Sequence, residues 1–248
     1  MKLDQTKKAV QQLNLSGILD HLESRLTQAV AQNLSHQDFL SLLLQDELLY
    51  RKGKRGEGLN KKAKFRYQAE LEDWDQSYER GLSKVQFKDL AGLGFLRNLE
   101  NLVILGKTGE GKTHLAIALG KALCRESVSV GFFSINFLFE EIMAVKASNR
   151  YLVWLKKITS TEVLVLDDFG LRNYTHEEAS WLLDLLEERY RKGVLIITSQ
   201  VDPLGWKKLF EDQVISDAIT DRMIKPSRTV TLKGGSYREK LAKKSNIN

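Results

Sequence analysis

The spacing of hydrophobic residues divides this chain into two parts. In the first part, apolar side chains recur every three or four residues from Ile18 to Val30, which is the spacing of one face of an amphipathic helix. A second helix is predicted to begin at Ser35, because Ser35 and Asp38 form a capping pattern ahead of further apolar residues. We therefore predict a small helical domain over residues 1–80. So small a core suits either a domain that docks a partner protein or a simple helical appendage.

The second part alternates short apolar runs with amphipathic stretches. The pattern predicts strands over 101–105, 128–134, 163–168, 194–199 and 228–232, and helices over 114–125, 136–147, 150–158 and 176–191. Such alternation is typical of a parallel sheet that is covered by helices on both faces. The main domain, residues 81–248, is thus predicted to be an α/β three-layer sandwich with a parallel five-stranded sheet.

The loop after the first predicted strand matches the P-loop pattern G-x-x-x-x-G-K-[ST]. Glycines let successive backbone N–H groups point at one phosphate, and the following helix adds the partial positive charge of its N-terminus. Lys112 is expected to reach the β- and γ-phosphates of ATP, and the Thr113 hydroxyl to ligate Mg²⁺. The predicted nucleotide-binding residues are Gly106, Lys107, Thr108, Gly109, Glu110, Gly111, Lys112, Thr113 and His114.

The third predicted strand ends in two carboxylates and has the form of a Walker B strand. Its apolar run, 163–166, suits a strand that is buried on both faces, and ligands collect at the carboxyl ends of such strands. Asp167 is therefore predicted to hold Mg²⁺, and Asp168 to polarise the attacking water. Hydrolytic relatives more often use Glu in the second role, so hydrolysis is expected to be slow or to depend on a partner.

The order of the elements narrows the class of nucleotide-binding protein. A complete strand-and-helix unit, 128–158, separates the P-loop helix from the Walker B strand. This order is typical of the additional-strand ATPases rather than of small nucleotide kinases. In that class a polar side chain at the end of the fourth strand senses the γ-phosphate, and Ser199 and Gln200 are the candidates here. The alternative for these two residues is an ordinary turn at the end of a strand.

Composition and charge add a preference for an anionic partner. The chain has 248 residues and a net charge of +6. Its most basic segment, 51–66, either contacts a phosphate backbone or forms a flexible solvated loop, since Gly53, Gly56 and Gly58 interrupt it. The single cysteine, Cys124, excludes an internal disulfide and fits a reducing compartment. We find no apolar run of membrane-spanning length, so we expect a cytoplasmic protein.

Several segments together resemble the AAA+ helper ATPases of insertion-sequence transposition, the IstB-like proteins. The related DnaC-like bacterial helicase loaders share the same features. The segments that carry the resemblance are 106–114, 164–171, 196–200, 217–222 and 233–238. The resemblance implies that Arg222 acts on ATP bound by a neighbouring subunit and that Arg238 is a second phosphate sensor. It also leads us to expect no helical lid domain, because only about ten residues follow Arg238.

The resemblance further implies what the protein binds. A transposition helper assembles with ATP on double-stranded DNA as a homo-oligomer, remodels the target and recruits the transposase through its N-terminal helical domain. The predicted DNA-facing residues are Lys146, Arg150, Lys156 and Lys157, with Tyr151 and Trp154 between them. These aromatic residues could instead belong to the core and the basic ones to a solvated face. A replicative helicase loader is the alternative function, and an ATP-gated module that does not hydrolyse ATP is a third.

Overall fold

The computed structural model describes residues 3–225, 227–237 and 239–240. The chain divides into two compact units: one contains the residues up to Gly58 together with Arg125–Ser127, and the other contains Leu59–Cys124 and the chain from Val128 onward. Residues 59–80, which the sequence analysis assigns to the helical domain, therefore belong to the second unit.

The helices of the described residues are α1 Leu3–Gln12, α2 Ser16–Ala31, α3 His36–Ala63, α4 Lys84–Ala91, α5 Gly94–Arg97, α6 Lys112–Arg125, α7 Ile135–Ala147, α8 Tyr151–Thr159, α9 His176–Arg189 and α10 Gln213–Ile224. The strands are β1 Asn101–Leu105, β2 Val130–Ser134, β3 Val163–Phe169, β4 Val194–Ser199 and β5 Ser227–Thr231. Short 3-10 helices cover Leu71–Asp73 and Pro203–Leu209.

The first unit is held together where α2 and α3 approach each other at Gly17. A Cβ atom at Gly17 would lie only 2.6 Å from the carbonyl oxygen of Asp46, so a larger side chain would push the helices apart. Glu47 Oε2 accepts hydrogen bonds from the N–H groups of Gly17 (2.8 Å) and Ile18 (3.2 Å), which satisfies donors at the start of α2. The small core beside this contact consists of Ile18, Leu22 and Leu43.

The helix predicted to begin at Ser35 is present and is capped as predicted, since the N–H group of Asp38 donates to Ser35 Oγ (3.1 Å). The prediction of a flexible basic segment after it is wrong, because α3 continues through the three glycines to Ala63. Each glycine costs a helix interior about 1 kcal/mol relative to alanine. The packing of Leu59 and Ala63 against the core of the second unit opposes that cost.

The second unit confirms the predicted α/β sandwich. Its sheet has five parallel strands in the order β2-β3-β4-β1-β5. Side chains alternate between the two faces along β1, so Leu102 and Ile104 pack on one side and Val103 and Leu105 on the other. Helix α6 covers the first face, and α7 and α9 cover the second. The P-loop and the ends of β3 and β4 therefore meet at the carboxyl edge of one sheet.

Candidate functional site

The P-loop leaves β1 and curls into α6 through backbone conformations that favour glycine. Gly109 has φ 87° and Gly111 has φ 99°, and an L side chain would be strained at either position. Space is also short at Gly109, where an added Cβ atom would collide with Ser236. The loop can therefore bring its N–H groups together at the start of α6, as the motif predicts.

Two charged side chains within the loop bind the backbone of Lys107, one at its N–H group and one at its carbonyl oxygen. Lys112 Nζ donates to the carbonyl oxygen of Lys107 (3.0 Å), and Glu110 Oε2 accepts from the N–H group of Lys107 (2.6 Å). Lys112 and Glu110 are both buried, with 6% and 3% of their surfaces exposed. Burial lowers the pKa of Lys112, although the neighbouring carboxylates oppose that shift. Glu110 thus stabilises the conformation of the loop, a role that its position in the motif did not predict.

Asp167 is the centre of the polar cluster beside the P-loop. Its Oδ1 accepts hydrogen bonds from the hydroxyls of Thr113 (2.9 Å) and Thr198 (2.6 Å). Its Oδ2 is buried and has no hydrogen-bond partner. Burial raises the pKa of this fully buried carboxyl, and the two hydroxyls work against the increase. The structure therefore brings together the two residues predicted to hold Mg²⁺.

Asp168 leaves the regular strand and lines the same cavity as the P-loop. It adopts a left-handed conformation with φ 62°, and the pairing of β3 with β4 shifts register between Leu166 and Phe169. The N–H group of Asp168 donates to Thr198 Oγ1 (2.9 Å). Left-handed non-glycine residues cost of order 1–3 kcal/mol and persist where their surroundings hold them. Here the bulge turns the second carboxylate toward the cavity.

The fourth strand does not place Ser199 beside Asp167. The buried Ser199 hydroxyl donates to the carbonyl oxygen of Phe169 (2.8 Å) and also lies 3.0 Å from the carbonyl oxygen of Val201. Its neighbour Thr198 provides the contact with Asp167 instead, and Gln200 accepts a hydrogen bond from the Thr108 hydroxyl (3.0 Å). Sequence reasoning named Gln200 and missed Thr198.

Lys112, Thr113, Asp168 and Gln200 line a cavity of about 720 Å³, a size that suits a nucleotide. Arg80 and Tyr237 line one wall, where the guanidinium of Arg80 lies 4.6 Å from the ring centre of Tyr237. The same guanidinium lies 3.4 Å from the ring centre of Trp74, which is buried in the core. His114 lies beside Trp74, with ring centres 6.2 Å apart, and burial together with Arg80 lowers its pKa. No spacing rule in the sequence indicated this wall, because its members come from distant parts of the chain.

A second arginine reaches the other side of the cavity. Arg66 follows α3, and its Nη1 lies 3.6 Å from Asp167 Oδ2 and 3.6 Å from Asp168 Oδ2. The sequence grouped Arg66 with the basic segment that precedes it and gave no indication of this contact.

The predicted trans-acting arginine lies away from this cavity, on α10. Arg222 Nη2 pairs with Glu187 on α9 (2.8 Å), and Nη1 donates to the carbonyl oxygen of Ala218 (3.0 Å). The side-chain amide of Asn101, at the start of β1, donates to the carbonyl oxygens of Arg222 (3.1 Å) and Met223 (3.1 Å). Asn101 therefore fixes the last turn of α10. The other predicted phosphate sensor, Arg238, lies outside the described residues.

The predicted DNA-facing residues lie on α7, α8 and the turn between them. Arg150, Lys156 and Lys157 are exposed, and Lys146 Nζ lies 4.4 Å from the ring centre of Tyr151. Trp154 is only 8% exposed, and its indole N–H donates to Glu141 (2.8 Å). The tryptophan therefore belongs to the core, as the alternative interpretation had it, whereas Tyr151 is half-buried and Arg150, Lys156 and Lys157 lie on the exposed surface.

The comparison with known families decides between the classes that this geometry permits. The sequence model described as IstB-like ATP binding protein matches residues 8–245. The chain belongs to this family. The insertion sequence IS21 ATP-binding protein of Pseudomonas aeruginosa is 35% identical over 235 residues, 95% of this chain and 89% of the relative. The insertion sequence ATP-binding protein Rv3427c of Mycobacterium tuberculosis is 34% identical over 233 residues, 94% of this chain and 93% of that protein.

Solved structures confirm the fold of this IstB-like protein. The DnaC helicase loader superposes with a TM-score of 0.57 at 20% identity, over 69% of this chain and 100% of the loader chain. The AMPPCP-bound DnaA of Aquifex aeolicus gives a TM-score of 0.58 at 20% identity, over 73% of this chain and 56% of DnaA. These similarities show the α/β fold of P-loop nucleotide-binding proteins such as DnaC and DnaA. Within the described residues, no helix has both the length and the apolarity needed to cross a membrane.

Proposed function

We propose that this IstB-like protein is an ATP-dependent helper of transposition that binds and remodels target DNA and recruits the transposase. The observation that carries the proposal is the cluster of Lys112, Thr113 and Asp167 at one sheet edge, in a chain that belongs to a family of insertion-sequence ATP-binding proteins. Hydrolysis of ATP, assembly of subunits and binding of DNA are the parts of the proposal that need experiment.

The donor set at the P-loop fits Mg²⁺-ATP. Magnesium prefers oxygen ligands and usually takes one or two carboxylates together with substrate phosphates. Thr113 and Asp167 offer such oxygens, and the unpartnered Oδ2 of Asp167 can accept another donor or a cation. Among the described residues, no group of three acidic, histidine or cysteine side chains offers an all-protein site. Bound Mg²⁺ supplies charge that stabilises the transferred phosphoryl group.

The chain's own residues then share the work of hydrolysis. Lys112 offers its ammonium group to the β- and γ-phosphates, and the N–H groups of the loop bind their oxygens. Asp168 orients the attacking water, since it is the carboxylate that the bulge turns into the cavity. Arg222 lies on a different surface from its own P-loop, so it is offered to ATP on a neighbouring subunit. Assembly and hydrolysis are thereby linked.

Contact with DNA is assigned to the basic residues Lys146, Arg150, Lys156 and Lys157, of which Lys146 is half-buried and the other three are exposed. Because Trp154 is in the core, this surface has charge to offer phosphates and fewer aromatic faces on which bases could stack. Binding should therefore depend little on sequence and weaken steeply as salt increases.

Recruitment of the transposase is assigned to the N-terminal helices. Leu40, Leu44 and Leu48 recur every four residues on α3 and are 56%, 50% and 68% exposed. A row of exposed leucines along one helix is a surface that a partner can cover. Leu43, on the adjacent face of α3, packs in the core of the first unit.

The decisive experiment measures ATP hydrolysis and particle size for the full chain with no DNA, with duplex DNA and with single-stranded DNA. A transposition helper should be stimulated by duplex DNA and form larger particles when both ATP and duplex are present. Lys112→Ala is the control that should remove nucleotide binding and every stimulated rate. Stimulation by single-stranded DNA alone would favour a helicase loader, and the absence of hydrolysis under all conditions would leave an ATP-gated binding module.

A further inference from the structure

Among the described residues, Arg66 is the cation that lies within 4 Å of the oxygen of Asp167 that accepts no hydrogen bond. Its Nη1 is 3.6 Å from Asp167 Oδ2 and equally far from Asp168 Oδ2, so one guanidinium bridges both carboxylates. The other oxygen of Asp167 already accepts two hydroxyl groups. Arg66 therefore neutralises the part of the site that no hydrogen bond stabilises.

The backbone that carries Arg66 is fixed by packing. Ala63, at the end of α3, is buried in the core. Phe65 lies against α6, where an added Cβ atom at Gly120 would be 2.7 Å from its ring, and its ring centre is 5.9 Å from that of Phe132. The arginine side chain itself is 44% exposed, whereas the side chain of Asp167 is fully buried. The backbone at Arg66 is thus fixed, whereas its exposed side chain can move away from the aspartates.

We propose that Arg66 is a positioning residue of the nucleotide site that competes with Mg²⁺ for the negative charge of Asp167 and Asp168. The inference rests on the proposed function in one respect, namely that Asp167 is a ligand of Mg²⁺. A guanidinium within about 4 Å of both carboxylates makes their electrostatic potential less negative, so a second cation is attracted less, and the effect is largest where water is excluded. Entry of Mg²⁺ with ATP therefore requires Arg66 to move aside.

The consequence is that nucleotide binds only at concentrations of Mg²⁺ higher than a site without Arg66 would need. A carboxylate pair without Arg66 would attract Mg²⁺ more strongly, so nucleotide would bind at lower metal concentrations. Because Arg66 is half-exposed, solvent screens part of its effect, and we expect a shift of about three- to tenfold rather than a larger one.

The test measures binding of the fluorescent nucleotide mant-ATP to the full chain over a series of free Mg²⁺ concentrations. For Arg66→Gln, half-maximal binding should occur at about three- to tenfold less Mg²⁺ than for the unchanged protein. Arg66→Lys keeps the charge and should stay near the original midpoint. Arg97→Gln, which removes an exposed arginine of α5, is the matched control and should change nothing.

A double-mutant cycle separates competition from a general loss of structure. In an Asp168→Asn background one of the two bridged carboxylates is already gone, so Arg66→Gln should shift the Mg²⁺ midpoint less than it does in the unchanged protein.

An unaltered midpoint in Arg66→Gln would overturn the proposal. Weaker binding of mant-ATP at every Mg²⁺ concentration, without a change for mant-ADP, would also overturn it and would make Arg66 a γ-phosphate ligand. If the unchanged protein bound no mant-ATP at any Mg²⁺ concentration, the proposed function itself would fail.

Discussion

The hydroxyl of Thr198 lies 2.6 Å from Oδ1 of Asp167. The same hydroxyl accepts a hydrogen bond from the backbone N–H of Asp168 (2.9 Å), so one side chain on β4 touches both Walker B residues. Thr113 of the P-loop donates to the same Asp167 oxygen (2.9 Å). Thr198 is thereby the link between the end of β4 and the atoms that are expected to meet Mg²⁺ and the γ-phosphate.

Replacing Thr198 by Val should reduce the rate of ATP hydrolysis while leaving nucleotide binding nearly intact. Valine keeps the shape but removes a hydrogen bond to a charged group, which is worth about 1.5–3 kcal/mol. If that energy is expressed in the transition state, kcat should fall about 10- to 100-fold. The measurement is kcat alongside the Kd of mant-ATP, and Thr198→Ser, which restores a hydroxyl, should recover most of the rate.

Ser199→Ala is the matched comparison. Its hydroxyl binds Phe169 and Val201 within the fold, so its loss should lower the free energy of unfolding by about 1–2 kcal/mol and leave kcat almost unchanged. A large fall in kcat for Ser199→Ala together with a normal rate for Thr198→Val would show that our assignment of the two residues is reversed.

The contrast between these neighbours shows which parts of the site the sequence could predict. Motif spacing alone placed Thr113 next to Asp167, because the P-loop and the Walker B strand always meet at the carboxyl edge of such a sheet. The choice between Thr198 and Ser199 depends on which face of β4 each side chain occupies. Both faces of a parallel strand are buried in this fold, so the hydrophobic pattern carries no information about that choice.

Arg66 was missed for a different reason. Three glycines suggested a flexible segment within residues 51–66, whereas the packing of Leu59 and Ala63 extends the helix to Ala63, and the residues that follow it enter the site. Helix propensity is a weak guide wherever tertiary contacts act on the same residues. The wall formed by Arg80 and Tyr237 was missed because long-range contacts leave no local spacing.

Glu110 should be needed because it accepts a hydrogen bond that holds the P-loop in shape, and its negative charge should not be needed. Glu110→Ala removes the acceptor for the N–H group of Lys107, and we expect the affinity for ATP to fall about 5- to 100-fold, as for loss of about 1–3 kcal/mol. Glu110→Gln retains a carbonyl acceptor without the negative charge, so its affinity should equal or exceed that of the unchanged protein. Titration with mant-ATP measures both. Glu211→Ala, at an exposed position, is the control, and normal affinity in Glu110→Ala would contradict this role.

His114 should make the stability of the second unit depend on pH. Burial, followed by the charge of Arg80, lowers its pKa below the ordinary value of 6.5. The unfolded chain then binds the proton more readily than the folded one. The contribution of His114 to the free energy of unfolding is therefore complete above about pH 6.5. It is lost as the pH falls toward the folded pKa, with a slope of at most about 1.4 kcal/mol per pH unit.

Urea unfolding between pH 8 and pH 5.5 tests this dependence. Replacement by the neutral His114→Gln should flatten the part of the profile below about pH 6.5. His36→Gln, at an exposed position at the start of α3, is the matched control and should leave the profile as it was. A profile that keeps its full slope in His114→Gln would mean that other groups cause the loss of stability in acid.

The exposed leucines of α3 should be needed for the partner and not for ATP. Leu44→Glu combined with Leu48→Glu places two charges on the row of exposed leucines and should abolish binding of the transposase in a pull-down with purified proteins. Hydrolysis of ATP and the circular dichroism spectrum should be unchanged, because neither leucine is buried. Gln45→Glu adds a charge to the same helix beside the row and should keep binding. Retained binding by the double variant would move the docking surface elsewhere.

Arg222 gives the sharpest test of assembly, because a residue that acts across a subunit interface can be supplied by another chain. Arg222→Ala should bind mant-ATP normally, since the Arg222 guanidinium pairs with Glu187 and does not line its own nucleotide cavity, yet the variant should lose hydrolysis.

Lys112→Ala should fail to bind nucleotide but should still offer Arg222. Mixing the two inactive variants with duplex DNA should therefore restore part of the activity, as intact sites form between an Arg222→Ala subunit that holds ATP and a Lys112→Ala subunit that supplies the arginine. A mixture of Arg222→Ala with the double variant Lys112→Ala/Arg222→Ala is the control and should stay inactive. Full hydrolysis by Arg222→Ala alone would exclude a trans-acting role for this arginine.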